Sequence, residues 1–223
     1  MKVVICLMVL FGMVAPGFGE MRTWTSKSGQ TIEAEYVRNT ISTVWLKTAA
    51  RKEKKILIDA FSKADQDYIY SQTPPKIEIS VDNNIKRRNR PGDIDDVFQD
   101  LQCEYEIVKT SKWPYPSELT VYYFMVGWQL ETKEYWVIET HQKKFKLNDK
   151  NSNKYYFKGE LFELWFDPDD PPRGKKFKGI LVCVQTSDGE VLEYEGRNLN
   201  EKHLKYLMNA SRNDRFDDDW KKL

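Results

Sequence analysis

Apolar and polar residues alternate with a period of two along most of this chain. Thr31-Ile-Glu-Ala-Glu-Tyr-Val37 puts Ile32, Ala34 and Tyr36 on one face and Thr31, Glu33 and Glu35 on the other, the pattern of a half-buried strand. Thr43-Val-Trp-Leu-Lys47 repeats it with Val44 and Leu46 inward. Arg22-Thr-Trp-Thr-Ser26 and Ile56-Leu-Ile58 add two short strands, and the charged run Arg51 to Lys55 reads as a turn. Ser62-Lys-Ala-Asp65 sets a side-chain oxygen three residues ahead of an acid, a helix start, and Pro74-Pro75 stops that helix. Four short strands and a closing helix over residues 21–72 predict a small SH3-like barrel.

Thr73-Pro-Pro75 is a stiff break. Residues 73–101 read as a linker and the first strand of a second domain, carried by the alternation of Lys76 to Val81. Asn83 to Gly92 reads as a loop, and Asp95 to Leu101 as one or two helical turns. Strands are then expected at 104–110, 118–130, 134–140, 143–147, 155–166, 179–186 and 190–195, with Phe157, Leu161 and Leu164 inward. Asp188-Gly189 marks a tight hairpin turn. Many short strands with frequent turns predict an antiparallel β-sandwich over residues 102–210, closed by a short C-terminal helix near 200–209. The charged stretch 211–223 is expected to be a flexible tail. The fold class is therefore mainly β.

The first residues break the pattern. Lys2, the apolar run Val3 to Val14 and small residues up to Gly19 describe a signal peptide cleaved between Gly19 and Glu20. The run is too short to span a bilayer as a helix, and no other stretch is apolar enough. The chain is thus expected to be exported, periplasmic or secreted, with no stable membrane insertion after cleavage. Cleavage removes Cys6 and leaves Cys103 and Cys183, each in a strand-like segment. They form either one disulfide closing a long loop or two buried thiols.

With 35 basic and 34 acidic residues the net charge is +1, which provides no bulk field for holding nucleic acid. The basic run Lys86-Arg-Arg-Asn-Arg90 reads either as a solvated loop or as a contact for an anionic surface. Asp167-Pro-Asp-Asp170 packs hard oxygen donors as calcium sites do, yet lacks EF-hand spacing and precedes Pro171-Pro172, so a solvated turn is the expectation. His141 and His203 are the two histidines, placed in a hairpin turn and in the last helix. No nucleophile, metal or phosphate-loop motif accompanies them. No catalytic residue, metal or cofactor is expected. The seven Trp and twelve Tyr are the remaining chemistry. Trp113, Tyr115, Trp128, Tyr135, Trp136 and Trp165 fill a sandwich core or form platforms for sugars and peptides. Trp113-Pro-Tyr-Pro116 lies between strands and is the expected exposed patch.

Arg22-Thr-Trp24, Ser28-Gly29, Glu33-Ala-Glu-Tyr36, Val44-Trp-Leu-Lys47 and Ser62-Lys-Ala-Asp-Gln-Asp-Tyr68 resemble the Sla1 homology domain 1, which in endocytic adaptors binds short Asn-Pro-Phe-x-Asp peptides. Similar modules occur in exported proteins of planctomycetes and verrucomicrobia, often followed by sandwich domains. The chain departs from the family in lacking Pro across Ile58-Asp-Ala-Phe61 and Gly across Arg38 to Ser42. The resemblance implies a non-catalytic binding or scaffold protein of the bacterial cell envelope that docks a protein or peptide. Trp24, Tyr36, Trp45, Trp113 and Tyr115 are the candidate binding residues. The alternatives are polysaccharide binding by the sandwich aromatics, and an accessory subunit or inhibitor of a secreted enzyme.

Overall fold

The structure is a computed structural model and describes residues 20–89, 96–169 and 171–223. The expected signal peptide, with Gly19 at its cleavage point, lies outside the described residues. Glu20 is exposed and directly precedes the first strand. The fold is mainly β, and the chain forms two compact units divided between Ile69 and Tyr70. The division falls within a helix, slightly ahead of the Pro-Pro break.

In the first unit, β1 (Met21–Thr25), β2 (Thr31–Asn39), β3 (Thr43–Thr48) and β4 (Glu53–Leu57) form an antiparallel meander in sequence order. A 3-10 turn over Ile58–Ala60 and helix α1 (Lys63–Ser71) follow. The expected barrel is not closed by a strand ladder. Ile58 leaves the strand for the 3-10 turn, and Ser62 already begins the helix, so one residue is left to pair back. The ends meet through an isolated bridge between Ser26 and Phe61, flanked by Lys27 N–H to Ala60 O at 2.9 Å and Ser62 N–H to Thr25 O at 2.7 Å. The charged run read as a turn enters β4 at Glu53.

The second unit is a β-sandwich built from one hydrogen-bonded path, β13-β8-β7-β11-β10-β6-β5, with β12 on β11 and β9 on β6. Its strands are β5 (Ile77–Asn89), β6 (Val97–Lys109), β7 (Leu119–Gln129), β8 (Glu134–Phe145), β9 (Lys154–Lys158), β10 (Phe162–Asp167), β11 (Arg173–Thr186), β12 (Val191–Arg197) and β13 (Arg215–Phe216). The path turns from one layer to the other at the β10–β11 hairpin. Gly174 there has φ +92°, and a Cβ would stand 2.4 Å from the Trp165 carbonyl oxygen, so only glycine fits without a shift. β5, β6, β9 and β10 form one layer, and β7, β8, β11 and β12 the other. Between them lie Leu101, Cys103, Tyr105 and Ile107 of β6, against Val121, Tyr123 and Met125 of β7 and Ile180, Val182 and Val184 of β11.

Several expectations are corrected here. Residues 97–101 are strand, because the odd positions of β6 from Gln99 to Ile107 are buried and the even ones are not, a period of two. The expected loop from Asn83 is strand through Asn89, paired with β6 along its length. β8 runs through His141 without a turn, paired residue for residue with β7 from Glu139 to Phe145. The expected strand 155–166 breaks at Gly159–Leu161, which turns Leu161 outward to 69% exposure.

The expected flexible tail is part of the fold. Phe124, Val126, Val137, Leu181 and Cys183 point away from the inter-layer core and need a second cover. Helix α2 (Glu201–Leu207) and residues 210–220 supply it, through Leu204, Leu207, Phe216 and Trp220. Asn200 caps α2 by accepting from Lys202 N–H at 3.1 Å. Asp217 organises the last turn by accepting from Asp219 and Lys221 N–H groups at 2.9 and 2.8 Å. That turn holds Trp220 at φ 62° and stacks its ring on Tyr135 at 4.2 Å. Trp220→Ala is expected to lower stability by about 3 kcal/mol, as for a buried aromatic removed from a core. Urea unfolding measures this, and a loose tail would give no change.

Candidate functional site

In the first unit, Arg22, Trp24, Ser62, Asp65 and Tyr68 converge on one interior network. Trp24 is fully buried, donates from Nε1 to the Ala34 carbonyl at 2.8 Å, and meets Phe61 and Tyr68 edge-on at 5.7 and 5.6 Å. Arg22 lies over the Tyr68 ring at 3.9 Å and donates to Asp65 Oδ1 at 2.6 Å. Asp65 Oδ2 also accepts from Thr25 N–H at 2.8 Å and from the Ser62 hydroxyl at 2.9 Å. Burial alone would raise the Asp65 carboxyl. The Thr25 N–H, Arg22 and Ser62 outweigh it and hold the group below the usual carboxylate range. Trp24 is therefore a core residue and not a ligand contact, because its position on β1 faces α1. Tyr36 is half-buried, stands edge-on to Tyr68 at 6.5 Å and donates its hydroxyl to Asn39.

Trp45 differs. It lies on β3 between the inward residues Val44 and Leu46, so its half-buried ring belongs to the outer face of the meander. Directly paired residues share a face, and Trp45 pairs with Arg38 on β2 and Lys55 on β4. A register shift between Tyr36 and Arg38 turns Arg38 to this side. The Arg38 guanidinium lies 4.7 Å and the Lys55 ammonium 5.3 Å from the ring centroid. Leu57, on the same face, is 58% exposed. Arg51, Lys52, Lys54 and Lys55 surround the single acid Glu53 and are all exposed. β4 is the last strand of its sheet, so its outer edge carries no strand among the described residues. The sequence pointed to Trp45 but missed Arg38 and Lys55, since one belongs to a bulge and the other to a run read as a turn.

In the second unit, Trp113 is half-buried and donates from Nε1 to the Thr73 carbonyl at 3.2 Å. Tyr115 is 6% exposed and belongs to the inter-layer core, which burial of its phenol reflects by raising its pKa. The expected exposed patch is thus a plug, since the prolines on either side of Tyr115 turn it back onto the sheet. Cys103 faces the inter-layer core and Cys183 the opposite face of its layer, so no bridge joins them and both are free. Burial pushes both thiols up to about 12. They are fully protonated near neutral pH and behave as small apolar side chains.

A buried acid absent from the sequence reading sits beside Cys103. Glu139, almost fully buried, accepts from the Tyr123 hydroxyl and from Glu160 N–H, each at 3.0 Å. Burial raises its carboxyl pKa, partly offset by those two donors. Two residues on, His141 stacks on Phe157 at 4.1 Å and its Nε2 lies 3.3 Å from the Tyr155 hydroxyl. Burial and nearby Lys143 lower its pKa. Asp167 is buried in β10 and paired with Arg173 at 3.1 Å, while Asp170 lies outside the described residues. Among the described residues no group of three or more His, Cys, Asp or Glu could hold a metal ion, and no helix is long and apolar enough to cross a membrane.

No family model matches the chain, and no curated protein matches it. A crystal structure from Akkermansia muciniphila is similar over 61% of this chain and 79% of its own, at 14% identity and a TM-score of 0.29. The X-ray structure of Northeast Structural Genomics Consortium target SoR45 is similar over 61% of this chain and 93% of its own, at 7% identity and a TM-score of 0.24.

The two buried acids have opposite linkage. Asp65 titrates lower folded than unfolded, so its contribution is present above the ordinary carboxylate range and lost as pH falls through its lowered value. Asp65→Asn is expected to cost about 2–3 kcal/mol near neutral pH, the scale of a broken, partly buried pair, and to converge with the unaltered protein in acid. Glu139 titrates higher folded than unfolded, so its contribution is present below the ordinary range and lost as pH rises through the raised value. Against Glu139→Gln, the unaltered protein is expected to lose relative stability from acid to neutral pH. Urea unfolding over a pH series checks both.

Proposed function

We propose that this protein is an exported, non-catalytic binding protein of the cell envelope whose first unit, read as a Sla1 homology domain 1-like module, docks an acidic, extended segment of a partner protein. The observation that supports this reading is the Arg38–Trp45–Lys55 row on the outer face of the meander. An indole held between two cations offers apolar contact area beside charge that carboxylates can pair with. The basic β4 strand lies next to this row and leaves its outer edge for a further strand, so an extended peptide would gain main-chain hydrogen bonds and place acids against Lys54 and Lys55. The division of labour within the motif favours the same surface. Arg22, Trp24, Ser62, Asp65 and Tyr68 are used to hold the unit together, which leaves Trp45 as the aromatic available to a ligand.

Selection of displayed random peptides against the purified protein tests the reading. Acidic peptides are expected to be enriched. Calorimetric affinity for a selected peptide is expected to fall about tenfold in Trp45→Ala, the loss typical of one central aromatic. It should fall further in Lys55→Glu and weaken as salt rises. Enrichment of sequences without acids, or affinities unchanged by Trp45→Ala, would overturn it.

A further inference from the structure

The outer face of the β5-β6-β9-β10 layer has the make-up of a second ligand site. Even-numbered residues of β6 point to this face, and their cross-strand partners share it. Trp165, 36% exposed, pairs with Phe98, and Tyr156, 56% exposed, pairs with Glu106. β10 and β9 lie end to end along the same side of β6. The two rings are thus separated by the eight residue steps from Phe98 to Glu106, roughly 26 Å at the usual rise of a strand.

Both rings are held in place despite their exposure. A Cβ on Gly174 would stand 2.8 Å from Trp165 Cε3, so the indole lies against bare backbone. The Tyr156 hydroxyl donates to Glu104. Between the rings is a shallow cavity of about 240 Å³ lined by Asn84, Lys86, Asp100, Gln102 and Leu161. The charges along this face are largely paired with one another. Arg88 bonds to Asp100 and Glu163, and Lys154 to Glu106 at 3.0 Å.

We propose that this face binds an extended, neutral polysaccharide, with sugar rings stacked on Trp165 and Tyr156 and hydroxyls bonded to the amides and acids of the cavity between them. Fixed aromatic planes suit the apolar faces of sugar rings and lose little entropy on binding. Amides, which both donate and accept, and a carboxylate, which accepts, suit hydroxyls. Arg88 and Lys154 are already paired within the face, and Lys86 is the single cation lining the cavity beside Asp100, which disfavours a densely anionic glycan. A protein partner would seek a contiguous apolar centre ringed by polar groups. Here the order is reversed, with a polar centre and aromatic ends.

Affinity electrophoresis of the purified protein in gels containing soluble β-glucan, xylan or galactomannan tests the site, with polygalacturonate as the charged comparison. Retardation is expected in at least one neutral gel. Trp165→Ala or Tyr156→Ala should each weaken it about fivefold, the loss of one aromatic contact, and the double variant should abolish it. Oligosaccharides long enough to reach both rings should bind more tightly than disaccharides of the same sugar. Trp45→Ala should leave glycan retardation unchanged, which separates this site from the peptide-docking face. Unchanged melting of the exposed-ring variants verifies that they fold. Absence of retardation in every neutral gel, retardation unaffected by the double variant, or binding confined to polygalacturonate and removed by salt would each overturn the proposal. So would a dimer in sedimentation that the double variant dissociates, since the face would then join two copies of the chain.

Discussion

Five consecutive residues of β11, Ile180 to Val184, are fully shut off from water. A strand offers its side chains alternately to two faces, so complete burial over five positions requires a cover on each side. Most of the second unit follows from that requirement. Ile180, Val182 and Val184 are covered by the β5-β6 layer, and Leu181 and Cys183 by α2 and the final turn. The near-continuous apolar run, uncommon in an antiparallel sheet with one wet face, is the sequence mark of this arrangement. It also fixes the fate of the cysteines, since Cys183 faces the cover opposite to the one that holds Cys103.

The same requirement explains why a charged C-terminus is folded. Its charges point outward while Phe216 and Trp220, spaced four apart by a tight turn, reach the sheet. A tryptophan in the left-handed region costs on the order of 1 kcal/mol or more in backbone strain. That cost is tolerated because the indole buries itself between Tyr135, His203 and Phe216. Lys222 bonding Asp214 at 2.6 Å closes the segment on the outside.

The alternation along the chain made the strands and the fold class legible, along with both helices and the two-part division. Where it misled, a local feature outweighed the period. Asp95 to Leu101 looked helical because acids cluster ahead of apolar residues, yet the pairing of β6 with β5 on one side and β10 on the other holds Val97 to Leu101 extended. His141 and Gln142 looked like a turn because they sit in a run of polar residues from Glu139 to Lys144. In the fold, Glu139 and His141 lie inside, where Tyr123 and Tyr155 offer polar partners, and a period-two reading has no way to anticipate a buried acid satisfied from a distant strand. The candidate site was legible in part. Trp45 was one of five candidate aromatics, and the sequence did not set it apart from Trp24 and Tyr115. Only the burial of their rings by distant elements tells them apart.

The near-zero net charge is a further case of local detail hidden in a sum. Charge of one sign gathers around β4, where four cations face one acid. On the outer face of β5 and β6, opposite charges are interleaved and bonded across strands. A bare cationic strand keeps its field and gains when an anion arrives, whereas a paired face would have to break existing bonds to accept one. The two surfaces therefore differ in electrostatic character despite the chain's nearly equal numbers of acids and bases. What sets each surface is the cross-strand register: it puts Trp45 between Arg38 and Lys55 on one, and Arg88 within reach of Asp100 and Glu163 on the other. A one-residue slip in either sheet would exchange inner and outer faces and remove the surface together with the core.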